Sequence, residues 1–136
     1  MSHLLDTSVI SESSKKKPDP RVIAWFDRTP PEKLFVSVLF LGEICRGIER
    51  HPDLKRRSRL RVWFEHDLLE WFEGRVLPVD VGVADTWGKF LTEAGRSLPS
   101  IDSLIAATAL HHNFTLVTRN MRDFDDHGLQ VFDPWS

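Results

Sequence analysis

Two kinds of segment alternate along the chain: short apolar runs, and longer stretches in which apolar residues recur at helical spacing. The short runs predict buried strands at residues 3–5, 34–37, 75–78, 115–118 and 129–131. Strands that alternate with helices are typical of an α/β domain with a parallel sheet covered by helices. Continuous apolar runs, rather than alternating ones, are expected when both faces of that sheet are buried.

The longer segments predict helices, and proline or glycine marks where most of them end. Pro30-Pro31 and Pro52 limit the first two, and Gly74 and Gly95 follow the next two. Ser100, directly after Pro99, is predicted to cap the fifth helix. The predicted helices cover residues 20–28, 38–50, 53–72, 81–94, 100–112 and 121–124.

Length and composition indicate one ordinary globular domain over residues 1–136. The chain is 41% apolar and 28% charged, and it contains neither a long apolar run nor a signal-like start, so we expect a cytoplasmic protein without membrane contact. The single cysteine, Cys45, excludes an internal disulfide and is predicted to be a core residue. With a net charge of −2, any contact with nucleic acid must come from local basic patches or bound metal.

The third predicted helix, residues 53–72, has a basic first half and an aromatic second half. One interpretation is a solvated face followed by a core-packing face. The other is a phosphate-attracting surface beside a partner-binding surface, with a dimer interface among the aromatic residues.

Asp6 directly follows the first predicted strand. Ligands of open α/β sheets bind at the carboxyl ends of the strands, so this position favours a role in a site. The alternative is an N-cap, in which Asp6 starts a helix near Val9.

Further polar groups fall near strand ends and helix starts. Glu43 lies inside an apolar helix, where local sequence favours a solvent-facing side chain, and Asp102 lies in the first turn of the fifth helix, where the helix dipole favours an acid. Asn120 and Asp123 follow the fourth predicted strand at a spacing that places them on one helical face. We expect the acids to share one edge of the sheet. Carboxylates gathered there would repel one another without cations, and oxygen ligands alone suit Mg²⁺ or Mn²⁺.

Four ordered blocks resemble the PIN-domain ribonucleases, specifically VapC-type toxins of the FitB-like branch. They are residues 4–12 around Asp6, 37–47 around Glu43, 100–109 around Asp102 and 115–124 with Thr118-Arg119-Asn120, and residues 131–135 also match. The resemblance implies a PIN-like three-layer α/β/α sandwich. It also implies Mg²⁺- or Mn²⁺-dependent cleavage of RNA by the toxin of a type II toxin–antitoxin pair.

The resemblance assigns roles to residues and partners. Asp6, Glu43 and Asp102 match the leading acidic positions, with Asp6 and Asp102 on the metal and Glu43 on a second ion or on the attacking water. Thr7 or Ser8 matches a hydroxyl that supports the first Asp. The implied partners are an RNA substrate, a small VapB-type antitoxin, DNA only through that antitoxin, and a second copy of the chain. The antitoxin would occupy a groove beside the second and third predicted helices.

One position departs from the family. Many members carry a fourth Asp where this chain has Asn120, and Asp123 could supply the missing charge. This departure keeps open a non-catalytic PIN-like module that binds RNA or protein. A phosphotransfer enzyme with Asp6 as nucleophile is a further alternative, but it would need a second Asp where Ser8 stands.

Overall fold

The computed structural model describes residues 1–13, 15–95, 97–124 and 128–136, without the side chains of Met121 and Asp123. Its strands are β1 (His3–Leu5), β2 (Leu34–Ser37), β3 (Val76–Leu77), β4 (Thr115–Val117) and β5 (Val131–Phe132). They form one parallel sheet in the order β3-β2-β1-β4-β5. The predicted α/β class and parallel sheet are therefore confirmed.

Helices connect the strands and continue beyond them. The first group is α1 (Thr7–Ser13), α2 (Pro20–Arg28), α3 (Val38–Glu49), α4 (Leu54–Val62) and α5 (Leu69–Trp71). The second group is α6 (Val81–Ala94), α7 (Ser100–His112) and α8 (Met121–Phe124). A short 3₁₀ turn, Pro31–Lys33, leads into β2.

Successive strand residues belong to two different hydrophobic clusters. Leu5 and Val117 lie in one cluster, whereas their chain neighbours Leu4 and Leu116 lie in the other. Because side chains alternate across a strand, the clusters occupy opposite faces of the sheet. The first cluster receives side chains from α1 to α3 and from the 63–72 region, and the second from α6, α7 and α8. The three-layer α/β/α sandwich is therefore confirmed.

Capping side chains explain where most of the helices start, but the cap predicted for α7 is not found. The side chains of Ser37, Asp53 and Asp80 accept hydrogen bonds from the first backbone N–H groups of α3, α4 and α6. The prediction that Ser100 caps α7 is wrong: Ser100 is already helical, and Pro99 occupies the capping position without a side-chain hydrogen bond.

The long predicted helix at 53–72 contains a change of helical type. Residues Trp63–Leu68 form a π-helix between α4 and α5, and the backbone N–H of Leu69 donates to the carbonyl of Phe64, five residues back. Such wide turns carry no periodic signal in a sequence. Cys45, predicted to be a core residue, is half-buried and packs against the first hydrophobic cluster rather than within it.

Several bounds and one helix differ from the predictions. The strands predicted at 75–78 and 129–131 are shorter or shifted, at Val76–Leu77 and Val131–Phe132. Helix α1 was predicted only as an alternative beginning near Val9, and it starts at Thr7. Within the described parts of the chain, no helix combines the length and apolarity needed to cross a membrane.

Candidate active site

Asp6 lies where the direction of the sheet reverses. The chain leaves β1 for β2 and β3 on one side, and later returns to place β4 on the other side of β1. In open α/β sheets this reversal opens a crevice at the carboxyl ends of the strands. Asp6 is the first residue beyond β1, its N–H donates to the carbonyl of Val117, and its side chain is buried, with the residue 8% exposed.

Two hydroxyl groups hold the Asp6 carboxylate. Thr118 Oγ1 donates to Asp6 Oδ2 at 2.8 Å, and Ser8 Oγ donates to the same oxygen at 3.2 Å. The donors are themselves fixed: the N–H of Asn120 donates to Thr118 Oγ1 at 3.1 Å, and the N–H of Arg119 reaches Ser8 Oγ at 3.5 Å. These two hydroxyl bonds leave Oδ1 of Asp6 for other ligands.

The contacts of Asp6 discriminate between its two sequence interpretations. Helix α1 begins one residue after Asp6, and the backbone carbonyl of Asp6 accepts from the N–H of Val9. However, among the described residues no backbone N–H donates to its carboxylate, which an N-cap side chain would require. The geometry therefore favours the site interpretation over the N-cap.

Glu43 lies on the same edge of the sheet as Asp6. It belongs to the second turn of α3, which begins directly at the carboxyl end of β2, and its side chain is exposed, as local sequence favours. Thr7 Oγ1 donates to Glu43 Oε1 at 3.0 Å, so the residue after Asp6 contacts Glu43. The expected hydroxyl support for Asp6 therefore comes from Ser8, while Thr7 supports Glu43.

Asp102 is half-buried in the first turn of α7. This helix leads into β4, so its first turn lies towards the carboxyl end of that strand. Two hydrogen bonds fix the turn: Trp87 Nε1 donates to Ser103 Oγ at 2.9 Å, and Ser103 Oγ donates to the carbonyl of Ser100 at 3.0 Å.

The position of the family's fourth Asp, where this chain has Asn120, is described only in part. Asn120 is exposed, and its backbone N–H braces Thr118. The side chain of Asp123 lies outside the described residues. The donors offered at this edge are oxygen atoms, which suits a hard cation, but within the described chain no three His, Cys, Asp or Glu side chains are close enough to hold a metal ion by themselves.

Sequence reasoning missed a group of charged residues at the end of α1 and ahead of α2. Glu12 is 5% exposed, yet its carboxylate pairs with Lys15 at 2.9 Å and accepts from the N–H of Asp19 at 2.8 Å. The hydrogen bond from Lys15 lowers the pKa of Glu12. The hydrogen bonds from Arg21 lower the pKa of Asp19 to about 2. The Asp19-Pro20 pair was a usable signal, since Asp at the N-cap and Pro at the first helical position start a helix.

Comparisons with known proteins identify the family. The PIN domain model matches residues 3–128, and the chain belongs to the PIN-domain family. The chain is 36% identical to VapC ribonuclease Y4jK of Sinorhizobium fredii over 97% of its length and 96% of the relative. It is 35% identical to toxin FitB of Neisseria gonorrhoeae, with 97% of each chain covered.

A solved structure agrees with this assignment. The structure of FitAB bound to an IR36 DNA fragment superposes with a TM-score of 0.90 at 34% identity, covering 98% of this chain and 96% of that one. The resemblance to FitB-like PIN domains is therefore confirmed over nearly the full length.

Proposed function

We propose that this protein is a divalent-metal-dependent endoribonuclease and the toxin of a type II toxin–antitoxin pair. The observation that carries the proposal is Asp6, a buried carboxylate that two hydroxyls orient at the reversal point of a parallel sheet. The names of the relatives, VapC ribonuclease and toxin FitB, support the same activity.

The side chains at this edge fit Mg²⁺ or Mn²⁺ by donor type. Asp6, Glu43 and Asp102 offer carboxylate oxygens and lie on elements that end or begin at the carboxyl edge. Mg²⁺ usually keeps several waters and takes only one or two carboxylates plus substrate phosphate, so a closed cage of three side chains is not required. We assign Asp6 and Asp102 as direct ligands of the metal. Glu43 would bind a second ion or orient the attacking water, and Asn120 or Asp123 would take the place of the family's fourth Asp.

A divalent cation, when bound, supplies Lewis-acid polarisation of the phosphate and a more acidic water for in-line attack. The chain supplies orientation. Thr118 and Ser8 hold one oxygen of Asp6 and so fix the direction of the other, while Thr7 restrains the exposed Glu43 carboxylate. Fixing these groups before substrate arrives reduces the reorganisation needed in the transition state.

The decisive experiment measures cleavage of a mixed RNA pool by the purified full chain with Mn²⁺, with Mg²⁺ and with excess chelator. We expect cleavage with either ion and none with chelator. Asp6→Asn, which keeps the shape and removes the charge, should reduce the rate by at least about 100-fold. Asp27→Asn is the matched control, because Asp27 is exposed on α2 away from the carboxyl edge.

One result would overturn the nuclease proposal. If the wild-type protein and Asp6→Asn leave RNA equally intact while both remain folded by circular dichroism, the chain is the non-catalytic binding module instead. Asn120 is the residue that would then explain the loss.

The groove proposed for the antitoxin lies on the side of the sandwich that carries the first hydrophobic cluster. An apolar groove borders α1, α3 and α4 next to Glu43, and a neighbouring groove continues past Trp63. The two share Ile10 and Trp63. We propose that a VapB-type antitoxin lays an apolar segment here, as a peptide helix does in a hydrophobic groove. Its own DNA-binding end would make the only DNA contact of the complex.

Co-purification with the product of a short neighbouring gene tests this partner. We expect a stable complex that Trp63→Asp disrupts and Val81→Asp, on the exposed start of α6, does not.

Light scattering of the free chain tests the proposed homodimer. A monomer at micromolar concentration would remove that part of the proposal.

A further inference from the structure

The backbone of Arg119 lies two hydrogen bonds from the Asp6 carboxylate. Its backbone N–H reaches Ser8 Oγ at 3.5 Å, and Ser8 donates to Asp6 at 3.2 Å. One hydroxyl can do both, because it has one proton to donate and lone pairs to accept. The Arg119 side chain is exposed. The residue is therefore anchored at the site by its backbone, while its guanidinium faces outwards.

The guanidinium stacks on Trp135. Arg119 Cζ lies 5.0 Å from the centre of the Trp135 ring, and that ring is 6% exposed. Strand β5 pairs with β4 and brings this C-terminal region alongside, since the N–H of Thr118 donates to the carbonyl of Phe132 at 3.0 Å. The N–H of Trp135 in turn donates to Asp133 Oδ1 at 2.8 Å. The ring is a fixed platform on which a planar cation is held in one orientation.

The donors of Arg119 are not used as those of Arg21, Arg57 and Arg75 are. Arg75 and Arg57 direct their guanidinium groups to backbone carbonyls, and Arg21 pairs with Asp19. Between Arg119 and the described residues, neither a side-chain hydrogen bond nor an ion pair is found.

Two acids that interact electrostatically with Arg119, Glu12 and Asp19, do not depend on it for pairing. Its charge contributes to the lowered pKa of Glu12 and of Asp19, so both carboxylates feel it. Each of them has a closer cationic partner, Lys15 at 2.9 Å and Arg21 at 2.8 Å. A guanidinium that rests on an aromatic ring, is exposed and has no carboxylate partner among the described residues is suited to an incoming anion.

We propose that Arg119 binds a backbone phosphate of the RNA next to the Asp6 site, and that Trp135 is the positioning residue that holds Arg119 for this contact. The inference rests on the proposed ribonuclease function. A planar guanidinium can donate two parallel hydrogen bonds to a phosphate, which a point charge cannot do. The contact would fix the position of the RNA along the carboxylates without reading the RNA sequence.

The test measures binding of a fluorescein-labelled single-stranded RNA of mixed sequence to the full chain in excess chelator, over a range of salt concentrations. Arg119→Ala should raise Kd about tenfold and make the plot of log K against log salt shallower by about 0.7. Arg119→Lys should restore the slope but not the full affinity. Arg28→Ala is the charge-matched control, since Arg28 is exposed and ends α2 shortly before β2 begins, towards the amino end of the sheet.

Variants of Trp135 test the positioning role separately. Trp135→Leu leaves the guanidinium charge in place, so we expect a two- to threefold rise in Kd at unchanged salt slope, about the size of an exposed cation–π contact. Trp135→Phe keeps an aromatic face and should bind nearly as wild type does. Thermal unfolding of each variant identifies any that have lost the fold.

Each outcome bears on one statement. Equal Kd and slope for Arg119→Ala and Arg28→Ala would overturn the phosphate contact. Weaker binding by Arg119→Ala with unchanged binding by Trp135→Leu would overturn the positioning role. Failure of the ribonuclease proposal is seen independently, as absence of cleavage by wild type with Mn²⁺, because the binding measurements use no metal.

Discussion

The ionisable groups at the two ends of the sheet differ in their hydrogen bonding. At the carboxyl end, the buried carboxylate of Asp6 has two hydroxyl donors. At the amino end, His3 begins β1 and His112 ends α7, and each has a buried ring nitrogen, Nδ1 and Nε2 respectively, without a partner among the described residues. Donors aimed at a group stabilise its charged form, whereas burial without partners favours the neutral form.

Ring packing replaces hydrogen bonding at the amino end. His3 meets Trp25 edge-on at 5.4 Å, and His112 lies 5.6 Å from Phe114. Burial lowers the pKa of His3 and of His112, and neighbouring cations add to this: the N-terminal amino group and Lys33 for His3, and His111 for His112. One end of the sheet is thus built for charge and the other for neutral packing.

Among substitutions that alter only the surroundings of these groups, the largest expected effect is at the carboxyl end. Thr118→Val removes the shorter hydroxyl bond to Asp6 while keeping the shape of the side chain. We expect RNA cleavage to fall about 10- to 100-fold, as when the support of a metal ligand is removed. The free energy of unfolding should fall by about 1.5–3 kcal/mol, the range for a hydrogen bond to a charged group. Cleavage assays and urea unfolding measure the two effects.

Thr108→Val is the matched control for that prediction. Both threonines are fully buried, but Thr108 Oγ1 donates to the neutral carbonyl of Leu104 within α7. Its loss should cost about 1 kcal/mol and leave cleavage unchanged. Equal effects of the two substitutions on cleavage would remove the special role of the Thr118 hydroxyl.

The next effect concerns close packing near the amino end. A Cβ on Gly82 would lie 2.4 Å from Cε1 of His111, whereas a Cβ on Gly88 in the same helix meets nothing within 4 Å. Gly88→Ala should stabilise the protein by about 0.5–1 kcal/mol through helix propensity. Gly82→Ala should lose that gain, because the His111 ring must move away from Thr86. Thermal unfolding that ranks Gly82→Ala as the more stable variant would contradict this packing.

A smaller effect is expected at Thr7. Thr7→Val removes the hydroxyl that restrains the Glu43 carboxylate, and because Glu43 is exposed, water replaces the lost bond. We expect a two- to fivefold loss of cleavage, about 0.5–1 kcal/mol in barrier height, with no measurable change in stability. A loss as large as that of Thr118→Val would mean that Glu43 is as tightly positioned as Asp6.

The smallest effect is a change of stability with pH. The pKa of His3 and of His112 is lower in the folded than in the unfolded chain, so the unfolded state binds more protons once the pH falls below about 6.5. Their stabilising contribution is complete above that pH and declines as the pH falls through the window down to the folded values. His3→Phe should flatten the decline between pH 7 and 5.5 in urea unfolding. An unchanged slope would contradict it.

The sequence was sufficient for three strands, β1, β2 and β4, to within one residue, and for the place of Asp6 at the carboxyl end of β1. Apolar runs with polar residues directly after them placed β1 and β4 correctly, and Asp6 and Thr118 follow those strands. Helix α1 was less accessible, because Thr7, Ser8, Val9 and Ile10 have modest helix propensity and the helix depends on tertiary packing of Val9 and Ile10.

Contacts between distant residues could not be predicted from local pattern. The bond between Thr118 and Asp6 joins residues 112 positions apart, and it follows only from the strand register that pairs Leu5 with Val117. The stacking of Arg119 on Trp135 depends in the same way on β5 lying beside β4. Sequence patterns indicate which face or edge a residue occupies, whereas sheet order decides which residues meet.

The π-helix Trp63–Leu68 makes the length of this region as important as its composition. A π turn is the trace left by one extra residue in an α-helix. Deleting a single residue between 63 and 68 would restore ordinary winding, with Trp63 and Leu68 then four positions apart and still on one face of the helix. If the present six residues were wound as an ordinary α-helix instead, Trp63 and Leu68 would point about 140° apart and could not both line the same groove. The wide turn is thus what keeps both side chains in one groove at the present chain length.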